Sequence, residues 1–577
     1  MSHQPRYPES ISSQTAADQP SLESLEYANT PLCLPKSSGC FDGETPFDSS
    51  TRGMGDIDVL KSTASDLRDM LNKGLTTSRA IVQTYLGQIK RHNSQGMVLN
   101  ALIDVAPEES LLGIADVLDA ERAAGNLRGD YHGIPIVLKD LINTDPSLGM
   151  RTTLGSYAMG SARPARNALV VEVLLRQGLI VLAKANLSEF GTNKSGSSPV
   201  GWSPVGGQTQ SPYIIGGAIP GDALLGHSSP GGSSSGSAVS VAAGFTPWSI
   251  GVETDGSVQT PASRASLFAL KPTIDMVSGD GVFKLTNAFD SLGGMAKTAQ
   301  DLAALTEILF LTVPGSPLAG KRLTAEFSNS LDGLRLGFVE PNDWMFSSTI
   351  LKPDETYLQQ RRDHWTHAMN ELKRLGANIV SPIKIKKTSE YTFEGKSSYQ
   401  VIRYGGWKRI VADYLNNLAE TKVHSLDDIV EFSKQNPDLE FSDVCQNQDS
   451  LINILKYDIP VSVVDDAVRE VRQAAGPEGI DRVLKEYGID AIIAPTDSDI
   501  HKLASFSGYP MGTMPLGYLL PSRRPHGLSI FTSKCNDALI LRIMHVYGTK
   551  SFTRKVPSQL QADTVGEACI WGCSSWA

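Results

Sequence analysis

Residues 230–273 read PGGSSSGSAVSVAAGFTPWSIGVETDGSVQTPASRASLFALKPT, and the fold turns on how this stretch is understood. Taken alone, residues 231–237 have the composition of a flexible linker, since Gly and Ser lower the cost of disorder. The continuation argues otherwise. No charge interrupts the run into Ala238, Val239, Val241, Ala242, Ala243 and Phe245, which is too apolar for a tether and rich in small residues that allow close backbone approach. A buried loop feeding a buried helix is the expectation. Residues 248–252 then have the aromatic and β-branched make-up of a short strand, and they run into the loop signature Glu253-Thr254-Asp255-Gly256-Ser257. Ser257 is thus a hydroxyl just past a strand end, where α/β proteins place reactive groups because the strand fixes the position and the loop exposes the side chain. The same serine also suits an ordinary turn.

Upstream stands Gly133-Ile134-Pro135-Ile136-Val137-Leu138-Lys139-Asp140, an apolar run that reads as a buried strand ending in a lysine. A lysine closing a strand at the surface fits that motif alone equally well. Taken together, these segments resemble the amidase signature family of Ser-cisSer-Lys amidohydrolases, and the wording ETDGS is similar to the branch that includes peptide amidases. The resemblance implies that Ser257 is the nucleophile, that Ser233, 24 positions earlier, bridges, and that Lys139 is the base. It further implies a cis peptide bond before Ser233. The backbone N–H groups of Thr254, Asp255, Gly256 and Ser257 would bind the oxyanion, with Ser233 and Ser257 also facing the substrate. The chemistry is coherent. An unactivated serine is a poor nucleophile, and a lysine can take its proton only when neutral, a state that burial favours. A hydroxyl between them can relay, because it both donates and accepts.

Length and composition are those of a globular protein: 577 residues, 41% hydrophobic and 20% charged. A net charge of −10 and no basic patch argue against nucleic acid as a partner. The six cysteines, Cys33, Cys40, Cys445, Cys535, Cys569 and Cys573, suggest neither a disulfide framework nor a zinc site, and Cys569 and Cys573 read as free thiols in a tail. No secretory signal and no membrane span is expected, which makes the cytosol the simplest compartment. No cofactor or metal is expected, the partner is a small-molecule amide, and a homodimer is compatible with the sequence.

Along the chain, residues 1–55 are polar and aperiodic and read as a disordered leader before an amidase domain over 56–556 and a tail over 557–577. Apolar positions Leu67, Leu71, Ile81, Tyr85, Leu86 and Ile89 recur at helical spacing, with Thr76-Thr77-Ser78 as a cap. A strand at 99–103, helices at 115–124 and 170–177, and a strand at 179–183 follow, an alternation that argues for α/β layering with substantial parallel sheet. Residues 186–190 and 201–209 are expected to edge the acyl pocket and 214–229 to form a surface excursion. The signature core spans about 130–300. Within a variable covering region of about 340–480, the apolar positions of the amphipathic helices read as packing. The resemblance implies an amidase signature fold, a large mixed β-sheet covered by helices on both faces.

Several positions depart from the family pattern: Leu141, Gln259, Ser266 and Ala269, the last two at places usually held by glycine. None carries a proton-handling side chain, so pocket shape is where they are expected to act. The reading is an amidohydrolase that cleaves a carboxamide through a serine acyl-enzyme. Two alternatives stand beside it: a catalytically silent homologue used for binding, and a transamidating subunit working on charged tRNA.

Overall fold

The computed structural model describes residues 56–561, so the expected leader over 1–55 and residues 562–577, with Cys569 and Cys573, lie outside it. Eleven strands form one sheet. In chain order they are β1 (Leu102–Val105), β2 (Pro135–Lys139), β3 (Ile180–Ala185), β4 (Trp248–Glu253), β5 (Phe268–Lys271), β6 (Ser291–Ala296), β7 (Arg335–Val339), β8 (Asn378–Ile383), β9 (Ala491–Pro495), β10 (Met511–Leu519) and β11 (Arg524–Phe531). Their spatial order is β1-β3-β2-β4-β6-β5-β10-β11-β9-β7-β8.

The sheet is mixed. β2 lies parallel to β3 and β4, and β7 lies parallel to β8 and β9. The other six neighbouring pairs are antiparallel, fewer parallel contacts than the strand–helix alternation suggests. The reason is local in β10 and β11, which pair directly with each other after a short turn instead of crossing over through a helix.

Strands β2, β3 and β4 are buried at every position, which explains why their sequences read as apolar runs and not as alternations. Both faces of the sheet are covered. The neighbouring glycines Gly293 and Gly294 of β6 show this, because successive residues of a strand point to opposite faces. A Cβ on Gly293 would meet Val258 Cγ1 at 3.2 Å, while one on Gly294 would meet Leu305 and Leu302 of the helix Ala299–Phe310 at 2.9 and 3.2 Å.

The leading helices form where the periodicity places them, Ala64–Asn72 and Ser78–His92, and Thr77 caps the second by accepting from the Ala80 N–H. The first strand starts later than residue 99, because Val98 and Asn100 adopt left-handed φ of 47° and 48° and cannot continue a strand. The helix Ser235–Ala242 is buried along its whole length, as the small-residue run requires. No helix among the described residues is long and apolar enough to cross a membrane.

Candidate active site

Three buried hydroxyl and amine groups line up at the ends of β2 and β4. Lys139 ends β2 with no exposed surface, walled in by parallel neighbours on both sides. Its Nζ donates to Ser233 Oγ at 2.7 Å and to the Val252 carbonyl at 3.2 Å. Ser233 Oγ in turn donates to Ser257 Oγ at 3.0 Å. Burial pushes the Lys139 amine down to about 7, and Asp290 and Glu253 oppose the shift only in part. The surface reading of this lysine is therefore excluded.

The loop carrying Ser233 is fixed on both sides. The Ser233 carbonyl accepts from the Ser188 N–H at 3.1 Å, the Ser234 N–H donates to the Ser257 carbonyl at 3.0 Å, and the Gly232–Ser233 peptide bond is cis. A side chain at Gly232 would meet Val200 at 2.5 Å, so only glycine fits before the bridging serine. Gly256 has φ +119°, a conformation that L side chains rarely adopt, and a Cβ there would meet His501 Nδ1 at 2.7 Å.

The loop carrying Ser257 wraps around a carboxyl group that the sequence reading did not single out. Glu253, the last residue of β4, accepts from the N–H groups of Gly256 and Val258 and from Gln259 at 3.2 Å. Burial raises this carboxyl to about 7 despite those three bonds. The consequence corrects one expectation: the Gly256 N–H is given to Glu253 and not to the cavity. The N–H groups of Thr254, Asp255 and Ser257 make no hydrogen bond to a protein acceptor among the described residues. Asp290 braces the same loop through Thr254 Oγ1 at 3.0 Å and is pushed up to about 6 by burial.

Residues from the covering region complete the surroundings of Ser257. Tyr399 and Arg403, both on the helix Ser398–Gly405, converge on the loop. The Tyr399 hydroxyl donates to Asp255 Oδ2, Arg403 donates to the Tyr399 oxygen, and its other nitrogen donates to Asn193 at 2.7 Å. Their spacing of four puts them on one helix face, a signal visible in the sequence. Which face meets the site was not. Around Ser257 opens a cavity of about 300 Å³, with Tyr399, Arg403, His501, Phe346 and Ile350 in its wall. His501 is buried and held down at about 4, hence neutral.

Two expectations about the periphery need amendment. Residues 214–229 do not form a plain surface excursion, because the buried Arg264 draws the second half inward, donating to the carbonyls of Leu225 and Gly226 at 2.8 Å each. Trp202 and Ser203 pair with Gly207 and Gln208 in a small hairpin, and of residues 186–190 and 201–209 none lines the cavity at Ser257, which touches Gly191 and Val200 next to them. Among the family departures, Gln259 is buried and donates to the Met511 carbonyl at 3.3 Å, and Ser266 keeps the φ of 55° expected where glycine is usual.

A mixed eleven-stranded sheet with a lysine and two serines in hydrogen-bonded sequence defines a hydrolase-type site, and a family match agrees with it: the Amidase family model covers residues 80–507. The chain belongs to the Amidase family. A peptide amidase from Stenotrophomonas maltophilia superimposes with a TM-score of 0.75 at 29% identity, over 87% of this chain and 99% of that one. A protein assigned as an amidase in Schizosaccharomyces pombe is 28% identical over 525 residues, 84% of each chain. Another such protein in Arabidopsis thaliana is 28% identical over 523 residues, 88% of this chain and 94% of its own.

Proposed function

We propose that this chain hydrolyses a small carboxamide through an acyl-enzyme on Ser257, with Lys139 as the base and Ser233 as the relay. The observation that carries the reading is the unbroken line from Lys139 Nζ through Ser233 Oγ to Ser257 Oγ, at 2.7 and 3.0 Å, anchored on an amine stripped of water. In the neutral form Lys139 presents a lone pair. Ser257 Oγ attacks the carboxamide carbon while its proton passes to Ser233 Oγ and the proton of Ser233 passes to Lys139 Nζ.

The resulting oxyanion needs donors already aimed at it. Thr254, Asp255 and Ser257 supply the N–H groups, and Glu253 serves by holding the turn through Gly256 and Val258. The proton then returns along the same line to the leaving nitrogen, the C–N bond breaks, and an ester remains on Ser257. Water attacks that ester, giving its proton through the relay to Lys139; the acyl C–Oγ bond then breaks, the proton returns through Ser233 to Ser257 Oγ, and the acid leaves. Atoms balance with water as the only co-reactant.

The test is covalent. A fluorophosphonate probe should label Ser257, identified by peptide mapping, and Ser257→Ala should lose turnover of a primary amide by about 10³-fold or more. Folded protein that stays unlabelled and turns over no amide would favour a silent homologue instead.

A further inference from the structure

We propose that the substrate's arm runs on from Ser257 into a second cavity under residues 214–229, and that this arm is uncharged or cationic and not carboxylate-bearing. This rests on the reading of Ser257 as the reacting position and adds a substrate class to it.

The second cavity has a volume of about 640 Å³, larger than the one at Ser257, and the two share Gly196, Val200 and Leu224 as common wall. The two cavities therefore adjoin at those three residues. The roof is a built wall. Arg264 holds its inner side through three carbonyls, adding Ser229 at 3.1 Å to Leu225 and Gly226. Asp222 braces it internally by accepting from the Ser228 N–H at 2.9 Å and hydroxyl at 2.7 Å. On the outer side the Leu225 N–H donates to the Ile350 carbonyl at 2.8 Å, and the His227 ring stacks on Tyr357 at 4.1 Å. Loop, core and covering region thus meet around one open cavity, with Ile219 and Val444 at its exposed side.

The lining sets the chemistry. Ile219, Pro220, Ala223 and Val444 give it apolar wall, while its charged side chains are the carboxylates Asp222 and Asp443. At Ser257 the balance differs, for Arg403 and Lys502 line that cavity beside Asp255 and Asp499. A carboxylate carried into the outer cavity would meet like charge without a compensating cation, whereas a methyl or ammonium end would not. Burying methylenes against the apolar wall should strengthen binding about three- to fourfold each where contact is complete.

Two series of amides test this, straight-chain primary amides and N-alkyl acetamides with arms from about two to about ten carbons, each ending in methyl, ammonium or carboxylate. Affinity is measured by calorimetry on full-length Ser257→Ala protein, and kcat/KM on the unaltered enzyme. In at least one series the affinity should rise about tenfold or more with length for methyl and ammonium ends, with the carboxylate-ended member about tenfold weaker than its methyl counterpart. Val444→Trp and Ala223→Trp, which narrow only the outer cavity, should each cut the long-to-short ratio about tenfold. Affinity flat with length in both series, indifference to a terminal carboxylate, or a ratio unmoved by both tryptophans would overturn the proposal. The two readings fail separately: a length trend in affinity without turnover keeps the second cavity and ends the reaction, and turnover without a length trend does the reverse.

Discussion

In the core segment around Ser257 three buried polar side chains are held by their own segment: Lys139 by Ser233 and Val252, Glu253 by its own loop, Asp290 by Leu285, Thr286 and Thr254. In the covering segment they reach outward. Tyr399 bonds Asp255, Arg403 bonds Asn193, Tyr414 bonds Asn143 at 2.7 Å, and Glu440 bonds Lys194 and Ser156. The difference teaches that the hydrogen-bonded line from Lys139 to Ser257 is assembled within the core, while the cover docks onto it by a few polar bonds and walls the cavity at Ser257. Damage to the core should therefore cost activity with the fold kept, and damage to the cover's bonds should cost stability or a smaller part of the rate.

The largest effect is expected at Lys139. Lys139→Arg places a permanent cation where a neutral base is needed, and kcat/KM should fall about 10³-fold or more, with little further loss when Ser257→Ala is added, because the residues act as one unit. The unaltered enzyme carries the companion expectation. Since the buried amine sits at about 7 and only its neutral form accepts a proton, kcat/KM should rise with pH through that value. A profile flat between about pH 5.5 and about pH 8.5, or a Lys139→Arg enzyme of ordinary rate, would detach Lys139 from the mechanism.

The next effect falls on stability and belongs to the cover. Lys194 is buried between Glu440 Oε2 at 2.5 Å and Glu189 Oε1 at 3.0 Å, and Ser156 donates to Glu440 at 2.9 Å. Burial and the neighbouring Glu440 push Glu189 up to about 8 against the pull of Lys194, so near neutrality it keeps its proton and the charge pair is Lys194 with Glu440. Glu440→Gln removes the nearer carboxylate and leaves that ammonium buried with Glu189, 3.0 Å away, as its remaining acidic partner. The cost should be about 2–4 kcal/mol, read as a lowered urea midpoint for the full-length chain. An unchanged midpoint would mean the cover is held by packing alone.

The same contrast explains what the sequence discloses. The Gly-Ser loop, ETDGS and the run ending in Lys139 are short local segments, so the resemblance they carry was enough to expect Lys139, Ser233 and Ser257 side by side, although each motif alone also suited a surface lysine or a turn serine. The Gly256 N–H could not be assigned that way, because the competing acceptor is the Glu253 carboxyl folded back over its own loop, a matter of side-chain direction. Residues 214–229 read as surface because they are glycine-rich and long, and only the distant Arg264, buried by tertiary packing, turns them inward. Tyr399 and Arg403 lie on an amphipathic helix whose apolar Val401 and Ile402 are indeed core, and Glu440 ends the four-residue helix Pro437–Glu440. Their polar positions meet partners more than 100 residues away, and nothing local marks one polar face as inward.

The smallest effect is the sharpest test of the division, since Tyr399 belongs to the cover and touches the core at the nucleophile loop. Its hydroxyl bonds Asp255, two residues before Ser257, and itself accepts from Arg403. Tyr399→Phe removes that one oxygen and keeps the ring that stacks on Phe289 at 6.4 Å, so the loop should remain folded but lose a tether on Asp255. If the loop's amides bind the oxyanion, a looser loop weakens transition-state binding more than substrate binding, and kcat should fall about tenfold with KM nearly unchanged. Tyr399→Leu, which also removes the ring, should raise KM as well if substrate occupies the cavity at Ser257 that Tyr399 lines. Equal changes in KM and none in kcat for the Phe variant would make Tyr399 a wall residue only, and the cover would then have no part in the chemistry at Ser257.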